Sequence, residues 1–326
     1  MIKAAIIGVG QQGKRILQAL QMIPNLEIIG VVDKSKAMLK SIDKGIKTYD
    51  DINEFYKENS IDLLCIATNG PSHCELVLQA SKKKVKFIFL EKPMACSIIE
   101  CEKIIKVITD NDIRLLVNHL RRLHPIYKWL KEKIISKEMG QIRSLNFLSM
   151  GIGLSAKATH WFDLSIFLLE EQNELISVTA QIDEQKMTNP RGAEFIDPGG
   201  IVILEFTNHC RSTIEQIEDG FCPLKIEAIF TNGYVEINEK TGIVKIMSND
   251  NGKIKIENSL MSAHVDIIEG TKDMVLNLLS TDDIVSTALS AKKTIEILIS
   301  AYSSDKTDKK VDINAGLNKN LYLPIT

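Results

Sequence analysis

Short apolar runs alternate with amphipathic stretches through the first 120 residues of the chain. The runs lie at residues 4–9, 26–32, 62–68, 86–90 and 113–117. Each is rich in β-branched residues and apolar at successive positions, as a strand must be when helices cover both faces of a parallel sheet. Helical periodicity follows several of them, for example over 13–22 and 73–83. This alternation predicts an α/β fold with a doubly wound parallel sheet.

The pattern changes after about residue 140. Strand-like runs then lie at residues 142–150, 176–182, 201–207, 211–217, 224–230 and 235–237. Asn208-His209 and Thr231-Asn232-Gly233 are typical turn sequences, so the strands that they join are predicted to form antiparallel hairpins. Helical patterns lie at 123–136, 159–169, 266–279 and 283–301, and a polar stretch at 303–310 precedes the C-terminal tail.

These patterns predict two domains, residues 1–121 and 122–326, with the helix at 123–136 bridging the two halves. The second is an α+β domain built on a largely antiparallel sheet. Helices 159–169 and 266–279 are expected to cover one face of that sheet.

Composition limits the function more than the fold. The chain has 326 residues, of which 44% are hydrophobic and 25% charged, which excludes a disordered chain and a collagen-like repeat. Its 40 basic and 42 acidic side chains give a net charge of −2, whereas proteins that bind nucleic acid or anionic membranes carry a basic surplus. No apolar window approaches the roughly 18 residues of a membrane span. Since nucleic acids and membranes are not expected as partners, we expect the protein to act on a small molecule.

The six cysteines are scattered and include no CxxC pair. This spacing predicts no metal site and reduced thiols, several of them buried. The N-terminal sequence lacks the apolar segment and small-residue cleavage site of a secretory signal. We therefore expect a cytoplasmic protein.

A glycine motif, Gly8-Val9-Gly10-Gln11-Gln12-Gly13, follows the first predicted strand and opens the first predicted helix. In a Rossmann domain the first glycine allows the tight turn, the second admits a pyrophosphate close to the backbone, and the third lets the helix pack against its strand. The helix N-terminus then favours the phosphates. The residues predicted to bind a dinucleotide here are Gly8, Gly10, Gln11, Gln12 and Gly13.

Asp33 ends the second predicted strand, about 20 residues beyond the motif, where an acidic side chain binds ribose hydroxyls. A carboxylate repels a 2′-phosphate, so Asp33 favours NAD over NADP. Lys34, Ser35 and Lys36 follow directly, and a lysine with a hydroxyl can bind that phosphate, so NADP stays open. The alternative interpretation is a glycine turn with a capping aspartate.

Two further motifs complete the pattern, Thr68-Asn69-Gly70-Pro71-Ser72-His73 and Glu91-Lys92-Pro93. The second follows the run 86–90, at the edge of the sheet where doubly wound folds bind ligands. With the glycine motif and Asp33, these motifs resemble the Gfo/Idh/MocA family, and the resemblance extends over nearly the whole chain. It implies a nicotinamide-dependent oxidoreductase that acts on a secondary hydroxyl or ketone of a sugar, nucleotide sugar or polyol. It places at the cofactor Thr68, Asn69, His73, Glu91 and Lys92.

Lys92 matches the lysine that this family uses as its acid–base group. An alcohol must lose its hydroxyl proton as its hydride leaves, so a proton acceptor is needed within hydrogen-bond reach. Lysine suits this role because its pKa falls readily when it is desolvated or lies beside another cation. The alternative is a solvated surface lysine.

His160 matches a family histidine at the start of a helix in the second domain. Many family dehydrogenases have an aspartate four residues earlier, whereas this chain has Ala156. Asp163 lies one turn after His160, where it can orient the imidazole or interact with the helix N-terminus. A catalytic role for His160 and a structural one both stay open.

Other residues are weaker candidates for substrate contact. The resemblance suggests Arg122 as an arginine near the site, with Asn118 and His119 at the end of the run 113–117. Arg191 lies in a turn-rich loop, where it either binds a phosphate or carboxylate or is a solvated charge. The substrate candidates are Asn118, His119, Arg122, Asp163 and Arg191.

The resemblance therefore implies an NAD(P)-dependent enzyme with its active site between the two domains. Family members commonly pack the free face of the second sheet against another subunit, so a homodimer or homotetramer is expected. Two alternatives stay open. One is a dinucleotide-binding regulatory protein without turnover, which the loss of the aspartate at Ala156 favours. The other is a reductase of a non-sugar substrate, such as an imine or pyrrole.

Overall fold

The computed structural model describes residues 1–185, 187–189, 192, 195–222, 224–250, 252–261, 266–280 and 283–323. Contacts divide the chain into two compact units, Met1–Leu123 with Asp266–Lys292 and His124–Val265 with Lys293–Thr326. The first unit thus takes in a late segment of the chain. No local sequence pattern indicates this return.

The first unit is built on a six-stranded parallel sheet. Its strands are β1 (Ile2–Ile7), β2 (Leu26–Val32), β3 (Thr48–Tyr49), β4 (Leu63–Ile66), β5 (Phe87–Leu90) and β6 (Arg114–Val117). They pair in the order β3-β2-β1-β4-β5-β6, and every pair is parallel. All four residues of β4 are buried, because helices cover both faces of such a sheet. The predicted doubly wound sheet is confirmed, although the two-residue strand β3 was not predicted.

Helices connect these strands, and local side chains fix where several of them begin. They are α1 (Gln11–Gln21), α2 (Lys36–Leu39), α3 (Ile52–Glu58), α4 (His73–Ser81) and α5 (Ile98–Asp110). Asp51 caps α3 by accepting hydrogen bonds from two backbone amides, and Ser97 caps α5 by accepting one from the amide of Glu100. Such caps satisfy amide groups that the first helical turn leaves without a partner.

The second unit is built on a nine-stranded sheet. The remaining elements, in chain order, are α6 (Pro125–Ser136), β7 (Ile142–Met150), α7 (Thr159–Leu169), β8 (Leu175–Ile182), β9 (Gly200–Phe206), β10 (Arg211–Ile217), β11 (Lys225–Phe230), β12 (Gly233–Asn238), β13 (Ile243–Asp250), β14 (Lys253–Leu260), α8 (Ile267–Ser280), α9 (Ala288–Thr307) and β15 (Val311–Asp312). The sheet order is β14-β13-β12-β11-β7-β10-β9-β8-β15.

Within this sheet β7 and β10 are parallel, and the other neighbouring pairs among the described strands are antiparallel. The predicted hairpins β9–β10 and β11–β12 are both present. The largely antiparallel sheet is therefore confirmed.

Helix α7 covers part of one face of this sheet. The rings of Phe147 on β7 and Trp161 on α7 stack with their centroids 5.6 Å apart. The hydroxyls of Ser165 on α7 and Ser212 on β10 lie 2.7 Å apart. Nine of the eleven residues of α7 are buried, so this helix is part of the core and its position is fixed by packing.

One prediction about the elements was wrong and others were incomplete. Helix α8, expected on the second sheet, packs beside α1 in the first unit. Helix α9 runs to Thr307 and so extends into the polar stretch 303–310, where Ser304 and Asp305 accept hydrogen bonds from backbone amides of β8. The strands β13 and β14 were not predicted, and β14 is exposed at every position.

No helix among the described residues has both the length and the apolar character needed to span a bilayer.

Candidate functional site

The glycine loop between β1 and α1 is shaped by close backbone contacts. Gly8 has a φ of +87°, and a Cβ there would lie 2.8 Å from the carbonyl group of Ala67. A Cβ on Gly13 would collide with the carbonyl oxygen of Gly8. A Cβ on Gly10 would have no atom within 4 Å. Gly8 and Gly13 are therefore needed for the turn to form, whereas Gly10 leaves open space above the turn.

Helix α1 begins beneath this open space. Gly10 caps the helix without a side-chain hydrogen bond, and its first turn contains no acidic residue. The positive end of the helix is thus not neutralised by its own sequence. Free space, small residues and a helix N-terminus are what the diphosphate of a dinucleotide needs, so the residues present fit that group.

Asp33 joins the glycine loop to the end of β2. Its Oδ2 accepts a hydrogen bond from the Val9 amide at 2.8 Å, and its Oδ1 accepts one from the Ser35 amide at 2.8 Å. Each carboxylate oxygen can accept a further hydrogen bond, so the fixed, half-buried side chain suits the hydroxyls of a ribose. Lys36, one of the two cations that left NADP open, forms an exposed ion pair with Asp50 at 3.4 Å.

Glu91 links three elements at the carboxyl edge of the first sheet. Its side chain is buried, and its Oε1 accepts hydrogen bonds from Asn118 Nδ2 at 2.6 Å and from Gln12 Nε2 at 3.2 Å. Burial raises the pKa of Glu91, while these two bonds and the charge of Lys92 act in the opposite direction. Glu91, which was predicted to bind the cofactor, therefore connects the glycine loop, the end of β5 and the end of β6.

Lys92 follows Glu91 directly and is half-buried. The next residue, Pro93, is joined to it by a cis peptide bond. The Pro93 carbonyl oxygen lies 2.8 Å from Nδ1 of His73, whose Nε2 lies 2.9 Å from the carbonyl oxygen of Thr68. The structure thus brings the loop after β4 and the lysine turn together through one imidazole.

His73 itself is fully buried. Burial lowers the pKa of its imidazole, although the surrounding backbone carbonyls oppose that shift. Both ring nitrogens of His73 contact backbone carbonyl oxygens, so the side chain holds the loop after β4 against the turn that contains Lys92. Thr68, whose hydroxyl lies 2.6 Å from that of Ser72, and the exposed Asn69 lie on the outer side of the same loop.

The substrate candidates after β6 are all buried in the first unit. Asn118 donates to Glu91, Nδ1 of His119 lies 3.2 Å from the hydroxyl of Ser286, and Arg122 donates to the carbonyl oxygen of Val285 at 2.9 Å. His119 and Arg122 therefore hold the segment that precedes α9. Their partners lie more than 160 residues away in the chain, so the sequence alone does not predict these contacts.

In the second unit, His160 is half-buried in the first turn of α7, and Asp163 is buried one turn later. A π-helical turn, Leu154–Ala158, leads into this helix. The buried Asp197 accepts hydrogen bonds from the amides of Ser155 and Ala156, both at 2.8 Å. The carboxylate of Asp197 thus binds the backbone amide of Ala156, the position at which many family dehydrogenases have an aspartate. Asp197 was not predicted as a site residue, although its turn sequence Asp197-Pro198-Gly199-Gly200 was an available signal.

A chain of buried hydrogen bonds fixes the start of α7. Trp161 Nε1 donates to the hydroxyl of Ser149 at 2.9 Å, and that hydroxyl donates to Oε1 of Gln216. Gln216 Nε2 in turn donates to the carbonyl oxygen of Gly151 at 2.5 Å. The residue next to His160 is therefore anchored to two strands of the sheet.

Arg191 lies outside the described residues. Among the residues that the structure describes, no group of three or more His, Cys, Asp or Glu side chains is arranged to hold a metal ion.

Comparison with known proteins identifies the first unit. Residues 2–119 match the family model for the Gfo/Idh/MocA oxidoreductases, described as an oxidoreductase family with an NAD-binding Rossmann fold. Over these residues the chain matches the Gfo/Idh/MocA family. Its glycine loop, Asp33 and the Glu91-Lys92-Pro93 turn all lie within the matched range.

The relatives that this chain resembles include inositol dehydrogenases. Inositol 2-dehydrogenase of Salmonella paratyphi B is 27% identical over 146 residues, which cover 43% of this chain and 43% of the relative. Myo-inositol 2-dehydrogenase of Thermotoga maritima is 24% identical over 189 residues, or 53% of this chain and 56% of the relative. The matched part thus spans about half the length of these curated relatives.

Solved structures match over almost the whole chain. An oxidoreductase from Agrobacterium radiobacter, crystallised with NAD+, L-tartaric acid and magnesium, has a TM-score of 0.79 at 21% identity and covers 96% of this chain and 99% of its own. An NAD-binding protein from Listeria innocua has a TM-score of 0.81 at 19% identity, covering 96% and 98%. At these identities the likeness shows a shared fold, and it extends over both units of the chain.

Proposed function

We propose that this chain is an NAD-dependent dehydrogenase or reductase that transfers a hydride between nicotinamide and a secondary hydroxyl or ketone of a polyol or sugar. The observation that carries the proposal is the position of Lys92. It follows β5 at the carboxyl edge of the sheet, and the adjacent Glu91 is hydrogen-bonded to Gln12 of the glycine loop. The inositol dehydrogenases among its relatives support a polyol or sugar substrate.

In this proposal the bound dinucleotide supplies the hydride acceptor or donor, and the protein moves the proton. The Lys92 amine takes the proton from the substrate hydroxyl during oxidation and returns it during reduction. The cation of oxidised nicotinamide favours the neutral amine. His73 and Glu91 hold the turn that carries this amine.

In the second unit, we propose that His160 binds the reacting oxygen of the substrate, with Asp163 behind it to orient the imidazole. Asp197 is assigned a positioning role, because both of its carboxylate oxygens bind backbone amides at the start of the helix. The candidates Asn69, Thr68 and Gln11 are proposed to contact the dinucleotide from the loops around it.

We further propose NAD as the preferred dinucleotide, because Asp33 presents a fixed carboxylate at the end of β2. A cytoplasmic location is proposed because all six cysteines are free thiols and five of them are buried. We also propose that the chain forms a homo-oligomer through the second sheet.

The test is turnover of NAD with a panel of inositols, other polyols, sugars and nucleotide sugars, followed by the near-ultraviolet absorbance of the reduced nicotinamide. On an active substrate we expect Lys92→Ala to lower kcat by about 10²–10⁴-fold, the usual contribution of an acid–base group. The affinity for NAD should change far less. Lys82→Ala, which removes an exposed lysine at the end of α4, is the matched control. A Lys92→Ala variant that keeps more than about a tenth of its turnover contradicts the role of Lys92.

A dinucleotide-binding protein without turnover is the second candidate. It is favoured by Ala156, which leaves the helix start without the acidic side chain that many family dehydrogenases have there. NAD binding without oxidation or reduction of any compound in the panel would support this candidate over the enzyme.

A further inference from the structure

The side-chain amide of Asn118 donates a hydrogen bond through its nitrogen, but its oxygen has no partner among the described residues. The side chain follows β6 and is only 2% exposed. Its Nδ2 donates to Glu91 at 2.6 Å, whereas its Oδ1 is buried and has no hydrogen-bond partner in the part of the chain that the structure describes. Buried polar atoms are nearly always satisfied, because an unsatisfied one carries the full cost of its desolvation. A missing donor is therefore expected at this oxygen.

The neighbouring carboxylate fixes which end of the amide is left over. Oε1 of Glu91 accepts the hydrogen bond from Nδ2 of Asn118, so the amide nitrogen faces Glu91 and the amide oxygen faces away from that bond. Gln12 donates to the same Oε1 from the other side at 3.2 Å. The oxygen of Asn118 is then the atom that remains for a ligand.

The sheet topology indicates which part of a dinucleotide lies nearest. A Rossmann sheet binds the two nucleotides over its two halves, on either side of β1. Asp33 ends β2 and marks the half that holds the adenine ribose. Asn118 follows β6 in the other half, one strand from the turn that carries Lys92. The nicotinamide nucleotide belongs over this half, and on its base the carboxamide nitrogen carries the only N–H donors.

We propose that the side-chain oxygen of Asn118 accepts a hydrogen bond from the carboxamide NH2 of the nicotinamide. This contact fixes the rotation of the pyridine ring and hence the face that it presents to the substrate. The inference rests on the proposed binding of NAD. It assigns Asn118 to the cofactor, whereas sequence analysis placed it among the substrate candidates.

The experiment compares NAD with its acetylpyridine analogue, in which a methyl group replaces the carboxamide nitrogen and removes the donor. Dissociation constants are measured by titration calorimetry, without substrate. We expect the wild-type protein to bind NAD about tenfold more tightly than the analogue, the usual effect of one uncompensated hydrogen bond. Asn118→Ala should weaken NAD binding by a similar factor and leave the analogue within about twofold, so that the preference disappears.

Asn118→Leu, which keeps the number and branching of the side-chain heavy atoms, repeats the test if the alanine variant does not unfold cooperatively. Asn111→Ala, at the exposed end of α5, is the matched control and should keep the wild-type preference. Equal affinities of the wild-type protein for the two dinucleotides, or a preference that persists in both Asn118 variants, overturn the inference while NAD binding stands. If the wild-type protein binds neither dinucleotide, the proposed function fails as well.

Discussion

At the scale of single residues, the three glycines of one motif differ in what surrounds them. Gly13 is pressed against the carbonyl oxygen of Gly8, whereas Gly10 faces open space and has an ordinary φ of −63°. The same substitution therefore has different consequences at the two positions. One position is needed to fold the turn, and the other is needed to admit a ligand.

We expect Gly10→Ala to fold with nearly wild-type stability but to bind NAD at least about tenfold more weakly, because its methyl group occupies the space of the diphosphate. Gly13→Ala should lower the free energy of unfolding itself by about 1–3 kcal/mol, the usual cost of overpacking. Chemical denaturation and NAD titration of both variants separate the two effects. Unchanged NAD affinity in Gly10→Ala would show that no diphosphate lies above this residue.

The buried carboxyl of Glu91 gives a second residue-scale prediction, on the pH dependence of stability. Burial raises the pKa of Glu91 above its ordinary value of 4.5, so the folded protein holds this proton more tightly than the unfolded chain does. That contribution to stability is complete below pH 4.5 and is lost as the pH rises through the folded-state pKa. Glu91→Gln keeps a hydrogen-bond acceptor for Asn118 and Gln12 but cannot ionise.

We therefore expect the Tm of Glu91→Gln to rise relative to that of the wild-type protein as the pH increases from 4.5. Thermal unfolding across a pH series measures the difference, and Glu132→Gln, an exposed change on α6, controls for the loss of one carboxylate. A difference in Tm that stays constant across the series would contradict the raised pKa of Glu91.

At the scale of elements, the start of α7 depends on hydrogen bonds to the sheet. The hydroxyl of Ser149 lies between the indole of Trp161 and the amide of Gln216, and all three side chains are buried. Ser149→Ala removes the hydroxyl that accepts from the indole N–H and donates to Gln216, and should cost about 1–3 kcal/mol of unfolding free energy.

Ser144→Ala is the matched control, since Ser144 is half-buried on the same strand and its hydroxyl binds only a side chain two residues away. It should change the unfolding free energy by less than about 0.5 kcal/mol. Equal effects of the two substitutions in chemical denaturation would show that the buried chain of hydrogen bonds does not stabilise the helix.

The elements also show what sequence alone can predict. Strands β4 and β5 are short, apolar and buried on both faces, so their composition identifies them directly. Strand β14 has no such continuous apolar run. Its first four residues, Lys253 to Ile256, alternate polar and apolar side chains, all eight of its residues are exposed, and among the described strands it pairs with β13 alone. Helix α8 shows clear helical periodicity, but periodicity reveals only that a helix has an apolar face. It does not reveal which partner covers that face.

The same distinction applies to the candidate site. The motifs containing Gly8, Asp33 and Lys92 are local in the sequence, so their positions at the sheet edge follow from the strands before them. The contacts of Asp197 with Ser155 and of Arg122 with Val285 join distant parts of the chain. Such contacts are set by tertiary packing and leave no periodic signal.

At the scale of the whole molecule, one face of the second sheet exposes several large apolar side chains. Ile243 and Ile256 are 50% and 57% exposed, and Ile201 and Ile229 are also exposed. The strand register places all four on one face of the sheet. Apolar patches of this kind are typical of protein interfaces, which supports the proposed homo-oligomer.

We expect the wild-type protein to be a dimer or larger in analytical ultracentrifugation, and Ile243→Lys combined with Ile256→Lys to shift it to a smaller species, because both changes replace an exposed apolar side chain of this face with a charged one. Ile99→Lys alters an exposed isoleucine on α5 in the first unit and should leave the assembly unchanged. A wild-type protein that sediments as a monomer would contradict the proposed assembly.

The return of residues 266–292 to the first unit has a consequence for biosynthesis. Helix α8 packs beside α1, yet strands β7 to β14 lie between them in the chain. While the ribosome is still adding those strands, the nascent first unit lacks the helix that completes it. The apolar face of α1 therefore stays accessible to chaperones and proteases until residues 266–292 have emerged.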